Sequence, residues 1–142
     1  IIFYCFENNV ENYKEICKTL SNDPRYILFK EDIFDILRQK KNIEYDFLNL
    51  DVMCEFYKGS ENEFINLNNQ KNFKMISINL QANSHYHKTW FLEKFKDKTL
   101  KEVLVKIFKN YTLVDDYKYK NSNKATPMHT FYFVRNDIVN VK

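Results

Sequence analysis

A chain of 142 residues and 17.4 kDa is long enough to bury a hydrophobic core of its own, as one domain or as two lobes. With 44% apolar, 17% aromatic and 29% charged residues it is neither a disordered polypeptide nor a monotonous coiled coil. Twenty-two basic against nineteen acidic side chains leave a net charge of +3, too little for a protein that coats nucleic acid over many phosphates, which still allows a local basic face.

The chain opens on Ile1-Ile2-Phe3-Tyr4-Cys5-Phe6, an apolar run that reads as a buried strand and is too short for a secretory leader or a membrane span. It has no initiating Met and reads as a processed product or part of a longer protein. Val10, Tyr13, Ile16, Cys17 and Leu20 then recur at spacings of three and four, which predicts an amphipathic helix over about 10–21. Ser21-Asn22-Asp23-Pro24 ends it, because the residue before proline is pushed away from helical dihedrals. Ile33, Phe34 and Leu37, with Glu31 and Asp32 before them and Arg38, Lys40 and Lys41 after, predict a second helix with the charge order that a helix dipole favours.

From Leu48 the period changes to two. Leu48, Leu50, Val52, Cys54 and Phe56 form one face of a strand that stops at Lys58-Gly59-Ser60. Ser60 to Asn72 is rich in Asn and Glu with little periodicity and reads as a loop or a boundary. Ile76, Ile78 and Leu80 alternate again, Asn83-Ser84-His85 punctuates, and Thr89 to Phe95 looks extended, so a β-hairpin is expected across that turn. Leu100, Val103, Leu104, Ile107, Phe108 and Tyr111 make a helical stripe opened by the capping box Thr99-x-x-Glu102. Asp115 to Pro127 reads as a polar loop, Thr130 to Arg135 as a strand, and Ile138 to Val141 as a short final strand.

The stretch Trp90-Phe91-Leu92-Glu93-Lys94-Phe95, leading through Lys96-Asp97-Lys98 into Thr99-Leu100-Lys101-Glu102-Val103-Leu104, resembles the second strand and capped helix of ubiquitin-like and Ras-associating domains. That resemblance implies a β-grasp-like portion over 73–142 of an α+β fold; residues 1–60 have no counterpart in it and read as an N-terminal α/β portion, a separate lobe or an extension of the same sheet in one continuous domain, with a loop or boundary at 61–72. The resemblance further implies a partner held by strand addition at the edge of the second strand, where Lys88, Lys94 and Lys96 would meet an acidic protein surface. The chain has no diglycine tail, which argues against a conjugated modifier.

Other signals are weaker. The single glycine, Gly59, argues against P-loop and Rossmann functions, whose phosphate-cradling turns need several residues without Cβ. Cys5, Cys17 and Cys54 are widely spaced within apolar patterns and read as reduced thiols in an intracellular, cytoplasmic protein. Cys54 has no cationic neighbour to activate it. His85 and His87 share the side of an extended chain, but a metal needs a third ligand and His129 is the only other histidine; the expectation is no metal. Ser84 beside His85 is no triad, and Glu31-Asp32 and Asp115-Asp116 read as solvated acids, so no catalytic residue and no cofactor are nominated. Nineteen lysines against three arginines, with eighteen asparagines, match AT-rich coding. The resulting expectation is a non-catalytic interaction or structural module, an adaptor or subunit of an intracellular assembly. Tyr86, Tyr117 and Tyr119 among Lys88, Lys118, Lys120 and Lys124 support the alternative of a single-stranded nucleic-acid binder. An enzyme without a recognisable motif is the third reading.

Overall fold

A computed structural model describes residues 1–39, 44–51, 56, 60–81, 88–96, 98–120, 122 and 126–140. The chain divides into two compact units, Ile1–Lys41 and Asn42–Lys142.

In the first unit, β1 (Phe3–Phe6) pairs in parallel with β2 (Tyr26–Phe29), from Phe3 opposite Tyr26 to Phe6 opposite Phe29. A tight turn cannot join parallel strands, so α1 (Val10–Leu20) serves as the crossover. Asn9 caps it, its side chain accepting from the backbone N–H groups of Glu11 and Asn12 at 3.0 Å each. Stacked rings staple the strands, Phe3 on Tyr26 and Phe6 on Phe29, both at 4.9 Å between centroids. Helix α2 (Ile33–Gln39) follows and buries Ile36 and Leu37.

The second unit runs β3 (Tyr45–Asp51), α3 (Ser60–Gln70), β4 (Phe73–Gln81), α4 (Lys88–Phe95), α5 (Leu100–Ile107), β5 (Tyr111–Tyr119), β6 (Met128–Arg135) and α6 (Asn136–Val139). Its sheet has the order β3-β4-β6-β5; β3 and β4 are parallel, and β6 inserts antiparallel to both β4 and β5. Direct cross-strand partners place Leu48, Leu50, Ile76, Ile78, Leu80, Phe131 and Phe133 on one face, every one of them buried. Phe64 and Leu67 of α3 and Val103 and Leu104 of α5 are buried with them. Phe108 joins the two layers, with its ring 4.8 Å from Phe133 and 5.9 Å from Phe64. The capping box forms as expected: Thr99 N–H donates to Glu102 at 2.7 Å and Glu102 N–H donates to Thr99 Oγ1 at 3.2 Å. The Tyr111 hydroxyl donates to the Phe73 carbonyl at 2.9 Å, and burial pushes its pKa up to about 12.

Several expectations need correction. Ser60–Gln70 is helix α3 rather than a loop, because Phe64 and Leu67 bury while the asparagines around them stay polar; Asn68 alone goes inside, with its side-chain oxygen accepting from Asn110 N–H at 2.9 Å. Thr89 to Phe95 is the body of helix α4 rather than a hairpin arm: Phe91 and Phe95 meet at 5.0 Å across one turn, and Phe56 packs on both. The turn Asn83-Ser84-His85, with His87, lies outside the described residues, as does Cys54. Asp115 to Tyr119, expected within a loop, belongs to β5, and Ile138 belongs to the short helix α6. Strand β2 was not anticipated at all. With a parallel pair in the sheet and helices where the hairpin should be, the β-grasp arrangement is absent, while the mixed α and β character stands. The second strand on which Lys88, Lys94 and Lys96 were expected is therefore helix α4 and the turn that follows it. Lys94 lies in α4, Lys96 follows it with φ 54°, and the side chain of Lys88 lies outside the described residues.

Lys71, directly after α3, has φ 54° as well. In a chain with one glycine, lysine takes the left-handed position at which helices usually stop on glycine. No helix among the described residues is long and apolar enough to cross a membrane.

Replacing Leu104 by Ala should lower unfolding free energy by about 2–5 kcal/mol, while Val105→Ala, one residue on and 44% exposed, should change it by less than ~1 kcal/mol. Urea denaturation of the two variants checks this, and equal losses would refute the assigned helix face.

Candidate functional site

Parallel strands end at the same edge of a sheet, and ligands of open α/β sheets bind outside those carboxyl ends. In the second unit that edge carries the ends of β3 and β4. Because β6 runs the other way and β5 opposes it, the edge also carries the start of β6 and the end of β5. Alternation then decides which side chains are offered. Since Ile78 and Leu80 are buried on one face, Asn79 and Gln81 must emerge on the other.

On that other face a polar row crosses all four strands: Asp51 opposite Asn79, Asn79 opposite Thr130, Thr130 opposite Tyr117. Asn79 is its hub. The amide nitrogen donates to Asp51 Oδ1 at 3.0 Å and to the Tyr119 hydroxyl at 2.9 Å, and the amide oxygen accepts from Thr130 Oγ1 at 3.0 Å. Asp51 is exposed, and its second oxygen has no partner among the described residues. One row inward, Tyr132 stacks on Tyr117 at 6.1 Å, and the hydrogen bond that its hydroxyl donates to Tyr117 raises its pKa. The row thus offers an open carboxylate, held at one oxygen, beside phenol and amide groups. It can accept a proton or orient an N–H or O–H donor.

On the buried face of the same edge, His129 is 5% exposed, pairs across strands with Leu80, and lies 3.9 Å from Phe131. Its Nε2 is 2.8 Å from Asp116 Oδ2, and Lys101 Nζ lies 2.7 Å from Asp116 Oδ1. Lys101 first, then His129, holds the Asp116 carboxyl below its usual range.

The first unit repeats the logic on two strands. Glu7 directly follows β1, and its N–H donates to the Phe29 carbonyl at 3.0 Å. Its carboxylate accepts from Asn9 N–H at 2.8 Å. Asp32, just beyond β2, accepts from Phe34 N–H at 2.8 Å and from the Asn8 side chain at 3.3 Å. Two carboxylates therefore mark the carboxyl ends of β1 and β2. Cys5, within β1, is half-buried and unbridged, and burial raises its thiol pKa.

Of the histidines weighed for metal, only His129 is among the described residues, and it pairs with Asp116. Lys94 and Lys96 line a groove between helices, away from the polar row. Asp51, Asn79, Glu7 and the parallel pairings were not singled out in the sequence. Asp51 and Asn79 were legible only as polar members of alternating strands, and their convergence depends on a parallel pairing that one sequence does not display.

No family model and no curated protein matches the sequence. Solved structures do match its fold. The N-methyltransferase NodS of Bradyrhizobium japonicum, in complex with S-adenosyl-L-homocysteine, superposes with a TM-score of 0.62 at 9% identity, over 95% of this chain and 67% of that one. TrmK of M. capricolum, in complex with its natural cofactor product S-adenosyl-homocysteine, gives 0.55 at 8% identity, over 95% and 52%. An rRNA methylase from Streptococcus thermophilus gives 0.52 at 11% identity, over 94% and 73%. The chain thus has the Rossmann-like fold of these proteins, which overturns the β-grasp resemblance. The same likeness overturns the expectation of a non-catalytic adaptor, since NodS and the Streptococcus thermophilus protein are named as methylating enzymes and TrmK is in complex with S-adenosyl-homocysteine. It also shows the limit of the glycine argument, which addressed phosphate-cradling turns and not the sheet itself.

Asp116 has a folded pKa below the ordinary ~3.9, so its contribution to stability is present above that value and lost as pH falls through the folded pKa. Lys101→Met removes the largest cause, and the acid limb of a urea-midpoint profile below about pH 4 should become shallower than in the parent. Parallel acid limbs would show that the Lys101 contact does not act on Asp116.

Proposed function

We propose that this chain carries a methyl-transfer site that uses S-adenosylmethionine. The observation that carries the reading is the fold likeness along 94–95% of the chain to proteins of that chemistry, together with polar side chains at the carboxyl ends of its parallel strands. The donor is a nucleoside sulfonium without phosphate, so the absence of a glycine-rich phosphate cradle is no obstacle to it. When bound, it supplies an electrophilic methyl group.

The residues present fit such a ligand in type. Glu7 and Asp32 stand where Rossmann-type folds place a carboxylate for ribose hydroxyls. Each has accepted hydrogen bonds from its own loop, and each carboxylate oxygen retains a second lone pair for a ligand hydroxyl or amine. The second unit, taken by itself, offers Asp51 as a carboxylate with one open oxygen that can take a proton from an N–H or O–H. Asn79 fixes the carboxylate by holding the other oxygen, and is itself fixed by Thr130 and Tyr119. Asn79 is thus a positioning residue for the Asp51 carboxylate.

Isothermal titration with S-adenosyl-homocysteine tests the reading. The parent should bind it, Glu7→Ala should bind at least tenfold more weakly with an unchanged circular dichroism spectrum, and Asp51→Ala should bind as the parent does. Failure of the parent to bind either the donor or its product at millimolar concentration would overturn the proposal.

A further inference from the structure

Helices α3, α4 and α5 enclose a groove of about 570 Å³ that belongs to neither carboxyl edge. Its lining includes Ile65, Phe95 and Ile107 as apolar surface, with Lys94, Lys96, Lys98, Lys106 and Lys109 around them and Glu61 as the one carboxylate. Five lysines against one glutamate is a local excess of four positive charges. The whole chain has +3, so everything outside the groove sums to −1. Lysine-rich coding spreads charge over a surface and does not explain that concentration.

The lysines are not used internally. Lys94 is the exception, paired with Glu61 and lying 5.9 Å and 5.7 Å from the ring centres of Trp90 and Phe95. Lys96, Lys98, Lys106 and Lys109 are exposed and form no ion pair among the described residues. Uncompensated ammonium groups this close repel one another and gather counterions, which a polyanion displaces with a gain in entropy. They come from two segments, the end of α4 and its linker, and the end of α5, so charge lies along the groove rather than at one point. A single phosphate would leave most of them unanswered. A repeating phosphodiester backbone answers all of them, and the apolar lining between takes sugars and base faces.

We propose that this groove binds single-stranded nucleic acid through its phosphodiester backbone. Lys94 and Lys96, singled out from the sequence for a protein partner at a strand edge, serve here on a helix end instead. The inference stands apart from methyl transfer, since binding is measured without donor or product.

The test is fluorescence anisotropy of the whole chain with a labelled single-stranded RNA of about 20 nucleotides over a salt series. The groove variant carries Lys96→Gln, Lys106→Gln and Lys109→Gln. A control carries Lys14→Gln, Lys18→Gln and Lys30→Gln, which changes net charge equally. The groove variant should bind at least tenfold more weakly than the parent at low salt. Its slope of log K against log salt should be smaller by about two, from ~0.7 per phosphate contact on a single strand. The control should match the parent, and all three should melt alike. Parental affinity in the groove variant, equal loss in the control, or no RNA binding by the parent would overturn the proposal. So would polyglutamate displacing the RNA at equal charge concentration, which would assign the groove to an acidic polypeptide.

Discussion

Strand β4 is paired on both edges, parallel to β3 and antiparallel to β6, and three of its side chains, Ile76, Ile78 and Leu80, are at most 1% exposed. That burial fixes more than stability. A strand whose alternate residues are locked into a core cannot slip by one position without moving its apolar set to the polar face and its polar set into the core. The register that buries Ile78 and Leu80 is therefore the register that brings Asn79 out on the opposite face, between Asp51 and Thr130. The polar row at the carboxyl edge is a geometric consequence of the core, and Asn79 makes it rigid by holding three partners with one amide.

Much of this core was legible in the sequence. The alternation of Ile76, Ile78 and Leu80, the stripe of Leu100, Val103, Leu104 and Ile107, and the Thr99–Glu102 box form as the spacing predicts, although the helix stops at Ile107, with Phe108 as its C-cap and Tyr111 already in β5. The failures have physical causes. Strand β5 loses its alternation at a bulge between Leu113 and Asp115, so a continuous strand reads as a polar loop. Helix α3 buries only Phe64 and Leu67 among its large apolar residues, too thin a stripe to stand out among asparagines. In α4 the aromatic density imitates a strand, although Phe91 and Phe95 meet across a helical turn. Topology was the deeper gap: a hairpin was expected after β4, whereas its neighbours are β3, joined through α3, and β6, some fifty residues further along the chain.

The candidate site was legible mainly as residue types. Asp51 lay in the predicted strand of alternating residues, and Glu7 followed the predicted first strand, yet neither position carries a spacing motif. Their significance comes from standing where parallel strands end, which only the pairing reveals. The glycine count misled for a chemical reason. Close backbone approach to phosphate demands glycine, but carboxylates meeting hydroxyls and amines do not. The lysines, by contrast, were visible from the outset, and the fold gathers five of them on one groove while leaving the remaining surface net negative.

The central claim is that the first unit presents a nucleoside-sulfonium site at the carboxyl ends of its parallel strands β1 and β2. Amide chemical-shift mapping by NMR, titrating S-adenosyl-homocysteine into the labelled chain, tests it most directly. The account predicts perturbations at Glu7, Asn8 and Asp32, at the carboxyl ends of β1 and β2, with Phe3 and Tyr26 at the opposite edge of that pair unmoved. Perturbations confined to that opposite edge, or none at saturating ligand, would contradict it.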